Sequence, residues 1–261
     1  MKKIIAVMAL LAMVLCMFAG CAKTQETITV GYTIVDPLNY MDENGKLVGF
    51  DTELAEKVFG NLGYKVIFKE IEWSAKYTEL DSKSIDCIWN GFTANTSDDD
   101  GIARADKVDF SYNYMENRQV LVAKKDNTIK ALEDLKGKNV AAEKGSAGDT
   151  YVNAVEGIVF KGVTKQTDAL LEVMSGTADV AVVDAQLAKA YVGQGDYADL
   201  AIVEGVSSDV EYYAIGFRKG SELTANVNEQ LDKLAQEGYI AELAEKYDVA
   251  STTITDYSDQ K

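Results

Sequence analysis

The sequence predicts an α/β fold built as two lobes that face each other across a cleft, and three observations carry that prediction. Short apolar strands alternate with amphipathic helices along most of the chain, the pattern of parallel sheets covered on both faces. With 261 residues, 47% of them hydrophobic and 26% charged, the chain can bury one large core or two medium ones. Each half also repeats one arrangement. Ser84-Ile85-Asp86-Cys87-Ile88-Trp89-Asn90 and Gly176-Thr177-Ala178-Asp179-Val180-Ala181-Val182-Val183-Asp184 both run from a helix through an aspartate into a buried strand that ends on a polar side chain. In open α/β sheets that end of a strand faces the ligand crevice, so two such ends place a cleft between two lobes.

In chain order, Ile28-Thr29-Val30 reads as the first strand, followed by a loop around Asp36-Pro37 and a tight turn at Asp42-Glu43-Asn44-Gly45. A helix from about Thr52 to Leu62 carries Leu54, Val58 and Leu62 on one face, with Asp51 as its cap and Gly63 as its stop. Val66-Ile67-Phe68 is a strand, a helix spans Ala75 to Leu80, and Ile85 to Trp89 is a buried strand. A polar loop from Asn90 to Gly101 leads to a short helix and then to the extended segment Gln119 to Ala123. The second half repeats the logic with strands Asn139 to Ala142, Ile158 to Phe160 and Val180 to Val183, and with helices after Gly148 and from Asp168 to Met174. Tyr212 to Phe217 is extended. Two helices close the chain, one with Leu223, Val227, Leu231 and Leu234 on one stripe up to Gly238, the other from Tyr239 to Tyr247.

Composition excludes much chemistry. There is no histidine, one proline, and arginine only at positions 104, 118 and 218, which removes imidazole bases, imidazole metal ligands and arginine-rich phosphate clamps together. The balance of 26 Lys+Arg against 42 Asp+Glu gives a net charge of −16, which repels nucleic acid and anionic membrane surfaces. No cofactor and no metal is expected. Asp98-Asp99-Asp100-Gly101 lacks the alternating ligands and terminal glutamate of a calcium loop and reads as a solvated helix start.

The N-terminus reads as an address. Lys2 and Lys3 precede an apolar run from Ile4 to Gly20, after which the chain turns polar, the pattern of an export signal over residues 1–20. Phe18-Ala19-Gly20-Cys21 resembles the lipobox of bacterial lipoproteins, which implies lipidation at Cys21 and a linker over 21–27 that holds the domain beside the membrane. Cys16 leaves with the signal and Cys87 remains alone, a buried small hydrophobe with no partner for a disulfide.

Gly49-Phe50-Asp51-Thr52-Glu53-Leu54 resembles the signature of family 3 extracellular solute-binding proteins, the polar amino acid receptors of ABC importers. Asn90-Gly91-Phe92-Thr93, Lys107-Val108-Asp109-Phe110-Ser111, Leu132-Glu133-Asp134-Leu135-Lys136-Gly137-Lys138 and Ala178-Asp179-Val180-Ala181-Val182-Val183-Asp184 follow in the family's order over nearly the whole mature chain. The resemblance implies a type II periplasmic-binding-protein fold in which the chain crosses between lobes twice. Lobe 1 is then 28–118 with 219–261, lobe 2 is 125–211, and the crossovers are 119–124 and 212–218. The implied protein is a monomeric, non-enzymatic receptor, exported and lipid-anchored, that captures a polar L-amino acid in the interlobe cleft and hands it to permease subunits.

A zwitterion needs a fixed carboxylate and paired donors. The resemblance assigns Asp184 to the ammonium, with the Gly91 carbonyl beside it, and Arg104 and Thr93 to the carboxylate. Arg104 falls in register when counted back from Asp109, as if six residues had been inserted after Thr93. Asn90 stands beside this group. Gly145-Ser146-Ala147-Gly148 opens a helix, so Ser146 and Ala147 offer backbone N–H groups to an anion. Trp73 and Phe92 are the expected aromatic walls for the ligand's side chain. Two other readings stand beside this one: a dehydratase-like enzyme on the same scaffold, with a carboxylate such as Glu143 as its acid or base, and a sensory ligand-binding domain.

Overall fold

The apolar runs become two five-stranded sheets in the computed structural model, which describes residues 25–261. The export signal, Cys16 and the lipobox Cys21 lie outside the described residues. In the first sheet the strands run in the order Lys65–Glu70, Thr27–Tyr32, Cys87–Ile88, Gly216–Phe217, Asp109–Phe110. In the second the order is Val159–Val163, Asn139–Glu143, Val180–Asp184, Gln119–Lys124, Leu200–Ser207. Side chains alternate across the second sheet as a pleat requires. Val120, Val122, Ala141 and Ala181 enter one core, while Leu121, Ala123, Val140, Ala142, Val180 and Val182 enter the other. Both faces are therefore buried, which is why these strands read as unbroken apolar runs.

Parallel pairing joins three strands on one side of each sheet, the edge strand included. Thr27–Tyr32 runs parallel to both Lys65–Glu70 and Cys87–Ile88, and Asn139–Glu143 runs parallel to Val159–Val163 and Val180–Asp184. Gln119–Lys124 and Gly216–Phe217 are antiparallel to their neighbours. Each of these strands enters its sheet from the opposite lobe, so it arrives running the other way. Leu200–Ser207, not foreseen as a strand, completes the second sheet.

The same pairing moves the crossings. Gln119–Lys124 is an interior strand of the second sheet and Gly216–Phe217 of the first. The segments that join the two sheets are Met115–Asn117 and Glu211–Tyr213, which pair antiparallel as a two-stranded ribbon with Glu211 opposite Asn117. Hydrophobicity does not mark them, because a joining ribbon carries polar and aromatic residues together.

The repeated aspartates have one structural meaning in both halves. Asp86 accepts from the Thr29 N–H at 2.8 Å and Asp179 from the Asn139 N–H at 2.7 Å. Each ties the entry of one parallel strand to the start of its neighbour.

The first long helix runs Phe50–Asn61, two residues earlier than the sequence suggests, and Asp51 does not cap it. The N–H groups of Phe50 and Asp51 are satisfied by the Pro37 and Leu38 carbonyls, so the helix needs no side-chain cap. Gly49 makes this approach feasible. Its φ is 131°, and a Cβ there would stand 2.2 Å from the Leu38 carbonyl oxygen. Asp51 instead lies fully buried and accepts from the Tyr114 hydroxyl at 2.8 Å. Burial pushes its carboxyl up to about 7, against the pull of Tyr114 and the Gly91 backbone. Cys87 is buried as expected, and burial raises its thiol further from ionisation.

Candidate functional site

The carboxyl ends of the two sheets meet at a narrow cavity between the lobes. Thr33, Val35, Trp73, Asn90, Gly91, Thr93 and Arg104 line it from the first lobe, and Glu143, Ser146, Ala147, Gln166 and Asp184 from the second. The lobes touch across it. Arg104 Nη2 and Lys76 Nζ both donate to the Gly145 carbonyl, at 3.2 and 3.0 Å, and Lys165 pairs with Glu70 at 2.7 Å.

Arg104 is the cationic pole. The inserted loop folds back through the Ser97 to Ala103 bridge and delivers Arg104 at the head of the short helix Arg104–Lys107. Its side chain is 1% exposed. Nε donates to Asp98 Oδ1 at 2.8 Å, Nη1 donates to the Thr93 carbonyl at 3.3 Å, and the guanidinium carbon lies 5.3 Å from the Phe92 ring centre. Three of its five N–H groups are committed here, which leaves a donor pair for an anion. Asp98 is thus not part of a solvated helix start. It also accepts from Tyr77 and Lys107. Burial works against its ionised form, but Arg104, Lys107, Tyr77 and Lys76 outweigh it and hold the carboxyl down at about 2. Asp100 pairs with Lys107 rather than with Arg104.

Asp184 is the anionic pole. It stands at the N-cap position of the helix Ala185–Tyr191 yet makes no capping bond. Its oxygens accept instead from Gln119 Nε2 at 2.5 Å, Asn117 Nδ2 at 3.0 Å and Gln166 Nε2 at 2.6 Å. The same Asn117 and Gln119 amides reach Glu211 Oε2, at 3.2 and 2.9 Å. Two carboxylates are thereby bridged by neutral donors alone. Burial raises both, and the Asp184 charge raises Glu211 further.

The other residues expected at the site divide. Trp73, 5% exposed, lines the cleft with the Lys76 ammonium 5.0 Å from its ring centre. Phe92 does not line it. Its ring is buried beneath the site against Trp73 and Phe110, with centroids at 5.3 and 4.9 Å, in the first lobe's core. Gly91 takes a φ of +56° with the Tyr213 ring against it, so a side chain there is strained and crowded. Asn90 is occupied with Thr33, donating to its carbonyl at 2.8 Å and accepting from its hydroxyl at 3.2 Å. The single hydroxyl proton of Thr93 goes to Glu211 at 3.2 Å, so this side chain can accept from a ligand but not donate to one. Ser146 Oγ caps the helix Ala147–Asn153, and Asp149 takes the Gly145 N–H at 2.8 Å. The Ala147 N–H is left as the loop's donor toward an anion.

Thr33, Val35 and Gln166 also line the cleft and were not foreseen. Thr33 and Val35 follow the first strand, and Gln166 opens a helix; each has an ordinary sequence context. Glu143, considered above only as a catalytic group, reaches the cleft from the end of its strand.

Comparison with known proteins decides the family. The family model for bacterial extracellular solute-binding proteins, family 3, matches residues 28–250. The chain belongs to that family. Its fold is that of the type II amino-acid-binding proteins among its structural neighbours. This solute-binding protein is 29% identical over 214 residues to the arginine-binding extracellular protein ArtP of Bacillus subtilis, covering 81% of each chain. It is 31% identical over 229 residues to the L-cystine-binding protein TcyA of the same organism, covering 86% of this chain and 82% of the relative. Among solved structures, an ancestral arginine-binding protein bound to arginine superposes with a TM-score of 0.78 at 37% identity, covering 85% of this chain and 98% of the other. Members of this family bind solutes and are not enzymes. Among the described residues of this solute-binding protein, no helix is long and apolar enough to cross a membrane.

Proposed function

We propose that this solute-binding protein captures an L-amino acid between its lobes and delivers it to the permease of an ABC importer. The arrangement that carries the reading is one cavity lined by Arg104 from one lobe and Asp184 from the other. The ligand's carboxylate takes the free donors of Arg104 together with the Ala147 N–H, and its ammonium takes Asp184, the Gly91 carbonyl and the Thr93 hydroxyl oxygen. Ser146 holds the helix that presents Ala147. Trp73 covers the ligand's side chain. Hinge motion about the ribbon Met115–Asn117 and Glu211–Tyr213 opens and closes the cleft. The relatives named for arginine and cystine support the ligand class.

The protein acts as a monomer, with residues 1–20 as its export signal and Cys21 as its lipid-bearing N-terminus. A soluble form of residues 25–261 screened by thermal shift against the twenty amino acids, ornithine and cystine tests the ligand class. A ligand at 100 times its Kd adds roughly 2.7 kcal/mol of stability, so at least one member of the panel raises Tm clearly. A flat panel overturns the reading. Cys21→Ser in the full chain moves the protein from the membrane fraction to the medium or periplasm; unchanged fractionation overturns the anchor.

A further inference from the structure

Glu143 stands apart from every other buried carboxylate at the cleft. It ends the strand Asn139–Glu143, beside the strand that ends in Asp184, and is only 4% exposed. Its carboxylate accepts no hydrogen bond and forms no ion pair among the described residues, yet it lines the cavity. Asp184 and Glu211, by contrast, share amide donors. A buried carboxylate without donors is costly, and the cost is removed when a cation reaches it.

The nearby cations are committed elsewhere. Lys76 donates to the Gly145 carbonyl and lies 3.9 Å from Asp98, and Lys165 is paired with Glu70. A charge count points the same way. The second lobe sets Asp184 and Glu143 on the cavity, with Glu211 of the ribbon behind Asp184 on the same amides, and no lysine or arginine is within ion-pair distance of any of the three among the described residues. The ammonium of an ordinary zwitterion answers one of these charges. Beyond Thr33, a second hollow lined by Glu70, Glu72 and Lys165 opens toward solvent, so a long side chain has somewhere to go, past one more acidic group than basic.

We infer that Glu143 is the specificity-determining residue of this cleft and selects amino acids whose side chain ends in a positive charge. The inference rests on the amino-acid reading above. Trp73 bounds the pocket from the first lobe, and the cationic end of the side chain passes it to meet Glu143. Charge, rather than length, is what the pocket reads.

Calorimetry with L-arginine and L-citrulline tests this, because the two side chains match in length and differ by a guanidinium against a neutral urea. Wild-type protein binds arginine about 100-fold more tightly than citrulline, the scale of a desolvated charge pair. Glu143→Gln loses most of that factor through weaker arginine binding and leaves citrulline within about threefold, the range of a polar contact that is not made. A second readout follows from the setting of Glu143. Burial first, and then the Asp184 charge with a smaller push from Asp168, raise its carboxyl to about 8 against the pull of Lys76 and Lys165. Near neutral pH, arginine binding therefore releases a proton, seen as a buffer-dependent enthalpy that citrulline and the Glu143→Gln variant lack.

Equal affinity of the wild type for arginine and citrulline overturns the inference without any variant, as does tighter binding of cystine, whose far end carries as much negative as positive charge. If amino acids bind and Asp184→Ala abolishes them while Glu143→Gln leaves the ratio unchanged, the receptor reading stands and this one falls. If the wild type binds no amino acid, both fall.

Discussion

The two lobes are built alike and charged oppositely. Each has a five-stranded sheet with three parallel strands on one side and an aspartate, Asp86 or Asp179, that ties adjacent strands at their entry. At the cleft the likeness ends. The first lobe presents Arg104, Lys76 and Lys107 gathered around Asp98, whereas the second presents Asp184 and Glu143, with Glu211 on the ribbon between. The scaffold sets where side chains meet, and the charges placed on it set what is held there. On the proposed reading, neither lobe alone offers both poles of a zwitterion, and binding and closure become one event.

The comparison is broken most severely by removing a pole. Asp184→Ala takes away the ammonium's anchor and leaves Gln119, Asn117 and Gln166 without their acceptor, so amino acid affinity falls by about 10³-fold or more, the scale of truncating one partner of a buried charge pair. Calorimetry at fixed ionic strength measures it, and a loss below tenfold contradicts the assignment. Arg104→Met removes the opposite pole and leaves Asp98 with Lys107 and Lys76, for a loss of about 10²-fold.

Asp98→Asn keeps both poles and loosens one. The Arg104 guanidinium is then held only by carbonyls, so affinity drops by about tenfold, close to the worth of one charge-assisted hydrogen bond. This variant also sharpens the comparison through acid stability. The Asp98 carboxyl is held low, at about 2, so its contribution is present above the ordinary carboxylate value and is lost as pH falls from about 4 toward 2. The wild type loses stability through that window more steeply than Asp98→Asn.

The second lobe carries the opposite sign. Glu143 there, and Asp51 on the first lobe's helix Phe50–Asn61, are raised to about 8 and about 7. The native state holds protons there that the unfolded chain has released, so stability present below their ordinary values is lost as pH rises toward 8. Thermal melts of the ligand-free protein fall between pH 5 and pH 8, and Glu143→Gln flattens that slope. The smallest effect is at Thr150, whose hydroxyl reaches the Ser97 carbonyl across the cleft at 3.3 Å. Thr150→Val changes affinity by under about threefold, as one part-buried neutral bond warrants, and acts on the dissociation rate.

Much of this was legible along the chain. Strands buried on both faces announce themselves as apolar runs, and the helix stripe Val227, Leu231, Leu234 lies in the core as its spacing requires. Asp184 and Arg104 were readable as lining the cleft because each sits in a short motif with a fixed place in a βα unit. Phe92 was misplaced because an aromatic residue next to a site motif does not declare whether its side chain turns to the cleft or to the core. Asp51 was misread as a cap because nothing local reveals that the Pro37 and Leu38 carbonyls already satisfy its helix. The joining ribbon was placed several residues off, since the extended segments beside it are the stronger hydrophobic signal.

Local composition and periodicity determined the strand and helix alternation, the aspartates that enter the strands, and the absence of histidine chemistry from the cleft. These are properties of residues a few positions apart. Only the tertiary structure decided which charges share a cavity, because Arg104, Glu143 and Asp184 come from three separate segments of the chain. It also decided which carboxylates keep partners. Asp184 and Glu211 are given amide donors by the ribbon, and Glu143 is given none, a difference of long-range placement that no stretch of sequence contains.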